Sequence, residues 1–161
     1  MTEKEYNNCV RSFADNVYRF IYKNLGQKED AQDIVQSAFE KLWINREQVD
    51  SLRSKSYLFT LAYHQMIDHI RKQKRITLKD EFRSDKRVSD KGSGDVKKIL
   101  DLALQKLNET QRSLVLLKDY EGYTYAEIGV ITGLSESQVK VYLHRARLLL
   151  KSFLVRPENV I

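Results

Sequence analysis

Between Thr124 and Arg147 the sequence TYAEIGVITGLSESQVKVYLHRAR carries two helix-start signals with one glycine between them. Thr124 with Glu127, and Ser135 with Gln138, have the spacing of a capping box: the hydroxyl takes the amide three residues on, and the acid or amide side chain reaches back. Gly133 supplies the left-handed residue that ends the first helix, and Leu134 follows as the apolar plug of the turn. Two short helices joined so tightly have few arrangements open to them, and the pattern predicts a helix–turn–helix. Its second helix sorts its faces at helical spacing. Val139, Leu143, Ala146 and Leu150 form a stripe that packs, while Lys140, His144, Arg147 and Lys151 form one that faces out. A basic outward face at that place suits a reader of duplex DNA. The bland reading is a solvated charged face, which any amphipathic helix has.

Charge elsewhere is segregated rather than spread. The chain of 161 residues holds 28 Lys and Arg against 22 Asp and Glu, a net +6 that permits an anionic partner. Acids crowd Glu29, Asp30, Asp33 and Glu40, whereas bases crowd Arg71, Lys72, Lys74 and Arg75 and again Arg145, Arg147 and Lys151. The length allows one domain or two small ones. The single cysteine, Cys9, excludes an internal disulfide and an all-cysteine metal site, and reads as a small buried residue. No apolar run approaches the length of a membrane span, and MTEKEYNNC lacks the regions of a signal peptide. A soluble cytoplasmic protein without membrane insertion is the expectation.

Apolar residues at Val10, Phe13, Ala14, Val17, Tyr18 and Ile21 predict a helix from Tyr6 to about Leu25, ended by Gly26. A second is expected from about Glu29 to Asn45, with Ala31, Ile34, Val35, Ala38, Phe39, Leu42 and Trp43 on one side and its acids towards the N-terminal end, where the helix dipole favours them. A third runs from about Ser54 to Lys74 with Tyr57, Leu58, Leu61, Ala62, Ile67 and Ile70 as its buried side. Between Ile76 and Asp95 the periodicity is lost in a charged, serine-rich stretch, expected to be a flexible linker. Helices over about Val96 to Leu107 and Glu109 to Tyr120 then lead into the helix–turn–helix. No segment alternates like a strand. The chain therefore reads as all-α, with two small helical domains over 1–75 and 96–161 joined by a linker over 76–95.

Catalytic patterns are absent from the sequence. There is no GxxxxGK[ST] loop, GxSxG elbow, HExxH or Cys/His cluster at metal-ligand spacing, so no enzyme, cofactor, metal or small-molecule substrate is expected. The third helix is more informative. Tyr57, Phe59, Tyr63, His64 and His69 precede the basic run, and rings beside cations are what a reader of unpaired bases needs. An aromatic stripe at helical spacing is equally a core stripe. Phe59 and Tyr63, four apart and off the main apolar side, are expected to escape that reading best. On the second helix an acid-fringed apolar face around Phe39, Leu42 and Trp43 is a plausible seat for a partner's helix.

In order and spacing, DAQDIVQSAFEKLW at Asp30 to Trp43, SYLFTLAYHQMIDHIRKQKR at Ser56 to Arg75 and LNETQRSLVLLKDYEGYTYAEIGVITGLSESQVKVYLHRAR at Leu107 to Arg147 resemble the bacterial extracytoplasmic-function (ECF) sigma factors, the smallest sigma-70 subunits of RNA polymerase. The resemblance covers nearly the whole chain. It implies a region 2 domain that binds core polymerase and melts the −10 element, a linker, and a region 4 domain that reads the −35 element. It further implies that Asp30, Asp33, Gln36, Glu40 and Trp43 dock on the β′ clamp helices, with region 4 on the β flap. Tyr57, Phe59, Tyr63, His64, Arg71, Lys72 and Arg75 would serve the −10 element, with an extruded base held near His64. Gln138, Lys140, Val141, His144 and Arg145 would face the −35 element, Val141 either on a thymine methyl or packed inside. An anti-sigma factor is the remaining implied partner. His64 stands where the family commonly has asparagine, and Val141 and Tyr142 replace a common serine and arginine, which bears on promoter sequence rather than class. A different reading of residues 107–154, an autonomous regulator with an N-terminal interaction domain, leaves the acidic and the aromatic-basic helices without a task.

Overall fold

The computed structural model describes residues 1–79 and 95–155. Its described residues form helices α1 (Glu3–Leu25), α2 (Lys28–Ile44), α3 (Ser54–Lys79), α4 (Asp95–Gln105), α5 (Glu109–Val115), α6 (Tyr125–Thr132) and α7 (Glu136–Leu154). No strand occurs among them, so the all-α expectation holds. Two compact units are present, one centred on α1 to α3 and the other on α4 to α7.

In the first unit α1 begins three residues earlier than its apolar pattern does. A capping box sets the start: Glu5 N donates to Thr2 Oγ1 at 3.1 Å and Thr2 N to Glu5 Oε1 at 2.8 Å. Gly26, at φ 71°, ends the helix in the left-handed conformation that costs glycine nothing. Two single 3-10 turns, Arg46–Gln48 and Ser51–Arg53, lead to α3, and Asp50 Oδ1 accepts from Leu52 N at 3.1 Å to cap the second. The three helices pack on one another. Val17, Phe20 and Ile21 of α1, Ala31, Ala38 and Leu42 of α2, and Leu58, Phe59, Ala62 and Met66 of α3 are all but fully buried.

The buried side of α3 is rotated from the expected one. Leu58, Phe59, Ala62, Tyr63 and Met66 are buried, while Tyr57, Leu61, Ile67 and Ile70 are only half-buried. A helix flanked by both α1 and α2 buries a wide arc, and residues at i, i+1, i+4, i+5 and i+8 fill it. Helix α3 also continues to Lys79, so residues 76–79 are helical rather than linker; the remaining expected linker, 80–94, lies outside the described residues.

In the second unit α4 and α5 each pack on α7. Leu104, Leu107, Leu114, Leu117, Val139, Leu143 and Ala146 are buried there, and the buried Arg112 donates from Nη1 to Leu107 O at 3.1 Å. After Val115 the helix widens into a π turn over Leu116–Tyr120. Both predicted capping boxes form: Glu127 N donates to Thr124 Oγ1 at 3.2 Å and Gln138 N to Ser135 Oγ at 3.1 Å, each reciprocated. Gly133 sits at φ 80° and donates to Gly129 O at 2.8 Å. Gly129 is itself buried in α6 with the turn close against it: a Cβ there would meet the Leu134 carbonyl oxygen at 2.8 Å. That close approach lets the turn fold back on the helix it ends.

Candidate nucleic-acid interface

Burial of Val139, Leu143 and Ala146 turns the opposite side of α7 to solvent, and Gln138, Lys140, Val141, His144 and Arg145 are all exposed there. Val141 is 46% exposed, so it faces out rather than packing inside. Gln138 is partly committed, since its Oε1 accepts from Ser135 N at 2.9 Å in the capping box. Arg147 lies on the same outward stripe, but its guanidinium grips Asp119, with Nε donating to Oδ2 at 3.2 Å. That hydrogen bond raises the guanidinium's affinity for its proton.

A feature without local periodicity joins this face. Tyr125, the first residue of α6, has Lys118 Nζ 4.4 Å and Lys140 Nζ 5.5 Å from its ring centre. Cations held over an aromatic face are attracted to it and aimed by it. Lys140 Nζ also lies 3.7 Å from Glu136, one turn back. Lys118 and Tyr125 are seven residues apart and on opposite sides of a turn, so their pairing is a tertiary fact that no local pattern marks.

The −10 candidates divide. His64 is exposed, its ring edge-on to Tyr63 at 5.5 Å. Tyr57 is half-buried, and Asn45 Nδ2 donates to its hydroxyl at 3.4 Å. Phe59 and Tyr63 are corrections: Phe59 is fully buried with its ring 5.6 Å from that of Phe20, and Tyr63 is 6% exposed, so neither presents a face on which a base can stack. Arg71, Lys72, Lys74 and Arg75 are exposed and, with Asp68, line an open hollow near the end of α3. This cationic surface can hold phosphate.

On α2, Asp33, Gln36 and Glu40 are exposed at i, i+3 and i+7, with Gln36 Nε2 donating to Glu40 Oε1 at 3.5 Å. Asp30, grouped with them in sequence, lies 3.3 Å from His69 Nε2 on α3. Trp43 is half-buried: Tyr6 meets it edge-on at 4.9 Å and the Arg46 guanidinium lies 3.8 Å over its ring. Glu3, Tyr6, Asn7, Glu40, Trp43 and Ile44 line a shallow groove along α1 and α2. Among the described residues no three His, Cys, Asp or Glu side chains are grouped to hold a metal ion, and no helix is long and apolar enough to cross a membrane.

The described residues thus present an acid-edged helix and a basic helix end in the first unit and the outward-facing second helix of a helix–turn–helix in the second. Two family models match it: Sigma-70 region 2 over residues 9–76 and Sigma-70, region 4 over residues 97–150. The RNA polymerase sigma factor SigV of Bacillus subtilis is 31% identical over 157 residues, covering 93% of this chain and 91% of that one. The ECF RNA polymerase sigma factor SigF of Caulobacter vibrioides is 35% identical over 129 residues, covering 79% and 72%. In fold, the chain is similar to the sigma factor RpoE solved with the anti-sigma factor NepR from Bartonella quintana, at a TM-score of 0.82 and 22% identity over 94% of this chain and 97% of that one. It is also similar to CnrH solved with the cytosolic domain of CnrY, at a TM-score of 0.72 and 21% identity over 95% and 89%. The chain belongs to the ECF group of the sigma-70 family of RNA polymerase sigma factors. Its function is that of the family, promoter-directed initiation of transcription.

Proposed function

We propose that this sigma factor docks on the β′ clamp helices of core polymerase through Asp33, Gln36, Glu40 and Trp43. The observation that carries this reading is the exposed polar row on α2 beside the Trp43 groove, in the same unit as the cationic end of α3. His64 and Tyr57 serve the −10 element as the exposed and half-exposed rings of α3, with Arg71, Lys72 and Arg75 holding the backbone. Phe59 and Tyr63 have no direct part. At the −35 element Lys140 and Arg145 contact guanine or phosphate, Val141 and His144 contact base edges, and Gln138 contributes with its amide nitrogen. Lys118 and Tyr125 extend that surface to the backbone. Region 4 also meets the β flap.

The protein acts in the cytoplasm without catalysing bond formation. An anti-sigma factor holds it inactive by covering the polymerase-facing surfaces.

Run-off transcription from a genomic promoter library, with core polymerase and with or without the protein, tests the reading. New transcripts that depend on the protein are expected. Duplex binding indifferent to polymerase, with no transcripts gained, would instead make it an autonomous regulator.

A further inference from the structure

Helix α3 leaves its bundle at a definite place. His69 and Ile70 are its last half-buried side chains, and every residue over 71–78 is exposed. At that exit His69 Nε2 lies 3.3 Å from Oδ2 of Asp30 in the first turn of α2, with 26% and 30% of the two side chains exposed. Asp30 therefore differs from Asp33 and Glu40, whose side chains sit in the exposed part of α2.

A contact so placed steadies a lever. From residue 69 to 79 the helix extends about 15 Å at 1.5 Å per residue, so roughly 5° of play at the exit moves its end by about 1 Å. Such a displacement spoils aligned contacts to a nucleic-acid backbone. We propose that Asp30 and His69 are positioning residues for promoter opening: Asp30 acts through His69 on the aim of Arg71, Lys72, Lys74 and Arg75, and is not itself a polymerase contact. The proposal rests on the sigma-factor reading above. It also gives the acid at the start of α2 a task separate from docking.

The test uses holoenzyme made with full-length Asp30→Ala, His69→Ala, the double variant, and the exchange Asp30→His with His69→Asp. Fluorescence anisotropy reads the affinity for core polymerase, and permanganate reactivity of −10 thymines reads opening on a promoter chosen by the run-off screen. Core affinity is expected within about twofold of wild type throughout. Opening is expected to fall about two- to fivefold in each single variant, the size of effect of a partly exposed pair, with no further loss in the double variant and recovery in the exchange. Weakened core binding in Asp30→Ala alone, additive losses, or a failed exchange would overturn the proposal, as would undiminished opening in the single variants. A parallel fall in core affinity, opening and melting temperature would reduce the pair to a general structural contact and overturn it too. Wild-type protein that neither binds core nor yields transcripts would sink the sigma-factor reading itself, whereas wild-type transcription with unaffected variants sinks only the positioning role.

Discussion

Arg147 of α7 clamps Asp119 of the π turn after α5 with two parallel hydrogen bonds, Nε to Oδ2 at 3.2 Å and Nη2 to Oδ1. The fork of donors that makes arginine a good reader of guanine or phosphate is thereby spent within the domain. The two side chains are 43% and 38% exposed, and solvent screening limits such a pair to about 0.5–1 kcal/mol. Arg147→Ala and Asp119→Ala should each lower stability by about that amount, and the double variant by no more. Arg147→Lys should not restore it, because an ammonium lacks the fork. Urea denaturation of wild type and the four variants checks this, and full additivity would show that the contact contributes nothing.

Phe59 and His64 lie on one helix with opposite fates, the first fully buried against Phe20 and the second exposed. Phe59→Ala should cost about 3–5 kcal/mol of stability through the cavity it leaves. His64→Ala should leave the melting temperature within a degree or two of wild type while weakening binding to −10 single strand in holoenzyme by about 1–3 kcal/mol, the size of a lost base–ring stack. Stability unaffected by Phe59→Ala would contradict the packing described here.

What the chain announced locally, it built. The boxes at Thr124 and Ser135 and the glycines at 26 and 133 are short-range devices whose partners lie within four residues, so spacing alone revealed them. The start of α1 is not legible in apolar periodicity, because a polar box at Thr2 and Glu5 sets it. The burial of Phe59 and Tyr63 is not legible in the sequence of α3, because the arc a helix buries depends on how many neighbours it has. Arg147 with Asp119, Lys118 with Tyr125 and His69 with Asp30 join residues brought together only by tertiary packing. The family resemblance implied which helices meet partners; which of their side chains face out and which are engaged within their own domain follows only from packing.

Gly129 offers a sharp test of the helix–turn–helix geometry. In an exposed helix interior, alanine improves on glycine by about 1 kcal/mol. Here the added Cβ would lie 2.8 Å from the Leu134 carbonyl oxygen, a backbone atom that cannot swing aside. Gly129→Ala should therefore destabilise the protein by about 1–3 kcal/mol, the usual penalty of overpacking. Thermal denaturation decides; a gain in melting temperature would mean that the turn does not approach α6 so closely.

The Glu5 carboxyl is held below its ordinary value, first by its hydrogen bond with the Thr2 backbone and then by contacts with the Ser51 and Thr2 side chains. Because the folded value is the lower one, the unfolded chain binds more protons in between. The stabilisation is thus complete above about pH 4.5 and lost as pH falls through the depressed folded value. Glu5→Gln keeps an oxygen for the box but does not titrate. Its stability should fall less steeply below pH 4.5 than that of wild type, as followed by denaturant titrations at stepped pH; equal slopes would remove Glu5 from the acid response.

Lys140 and Arg145 are exposed on α7, but only Lys140 is drawn towards Tyr125, at 5.5 Å, and towards Glu136, at 3.7 Å. An ammonium aimed by a ring and shared with Lys118 suits a phosphate, whereas the guanidinium of Arg145 suits the paired acceptors of a guanine. Lys140→Ala should weaken −35 binding equally on all sequences and reduce the slope of log K against log salt by about 1. Arg145→Ala should cost about 1–3 kcal/mol on the cognate site and blunt discrimination at one base pair, with a smaller change in slope. Filter binding of holoenzyme to a series of single-base variants at several salt concentrations separates the two roles. If the sequence-dependent loss follows Lys140 and the uniform one Arg145, the assignments are reversed; if neither variant loses binding, this face of α7 does not meet the −35 element.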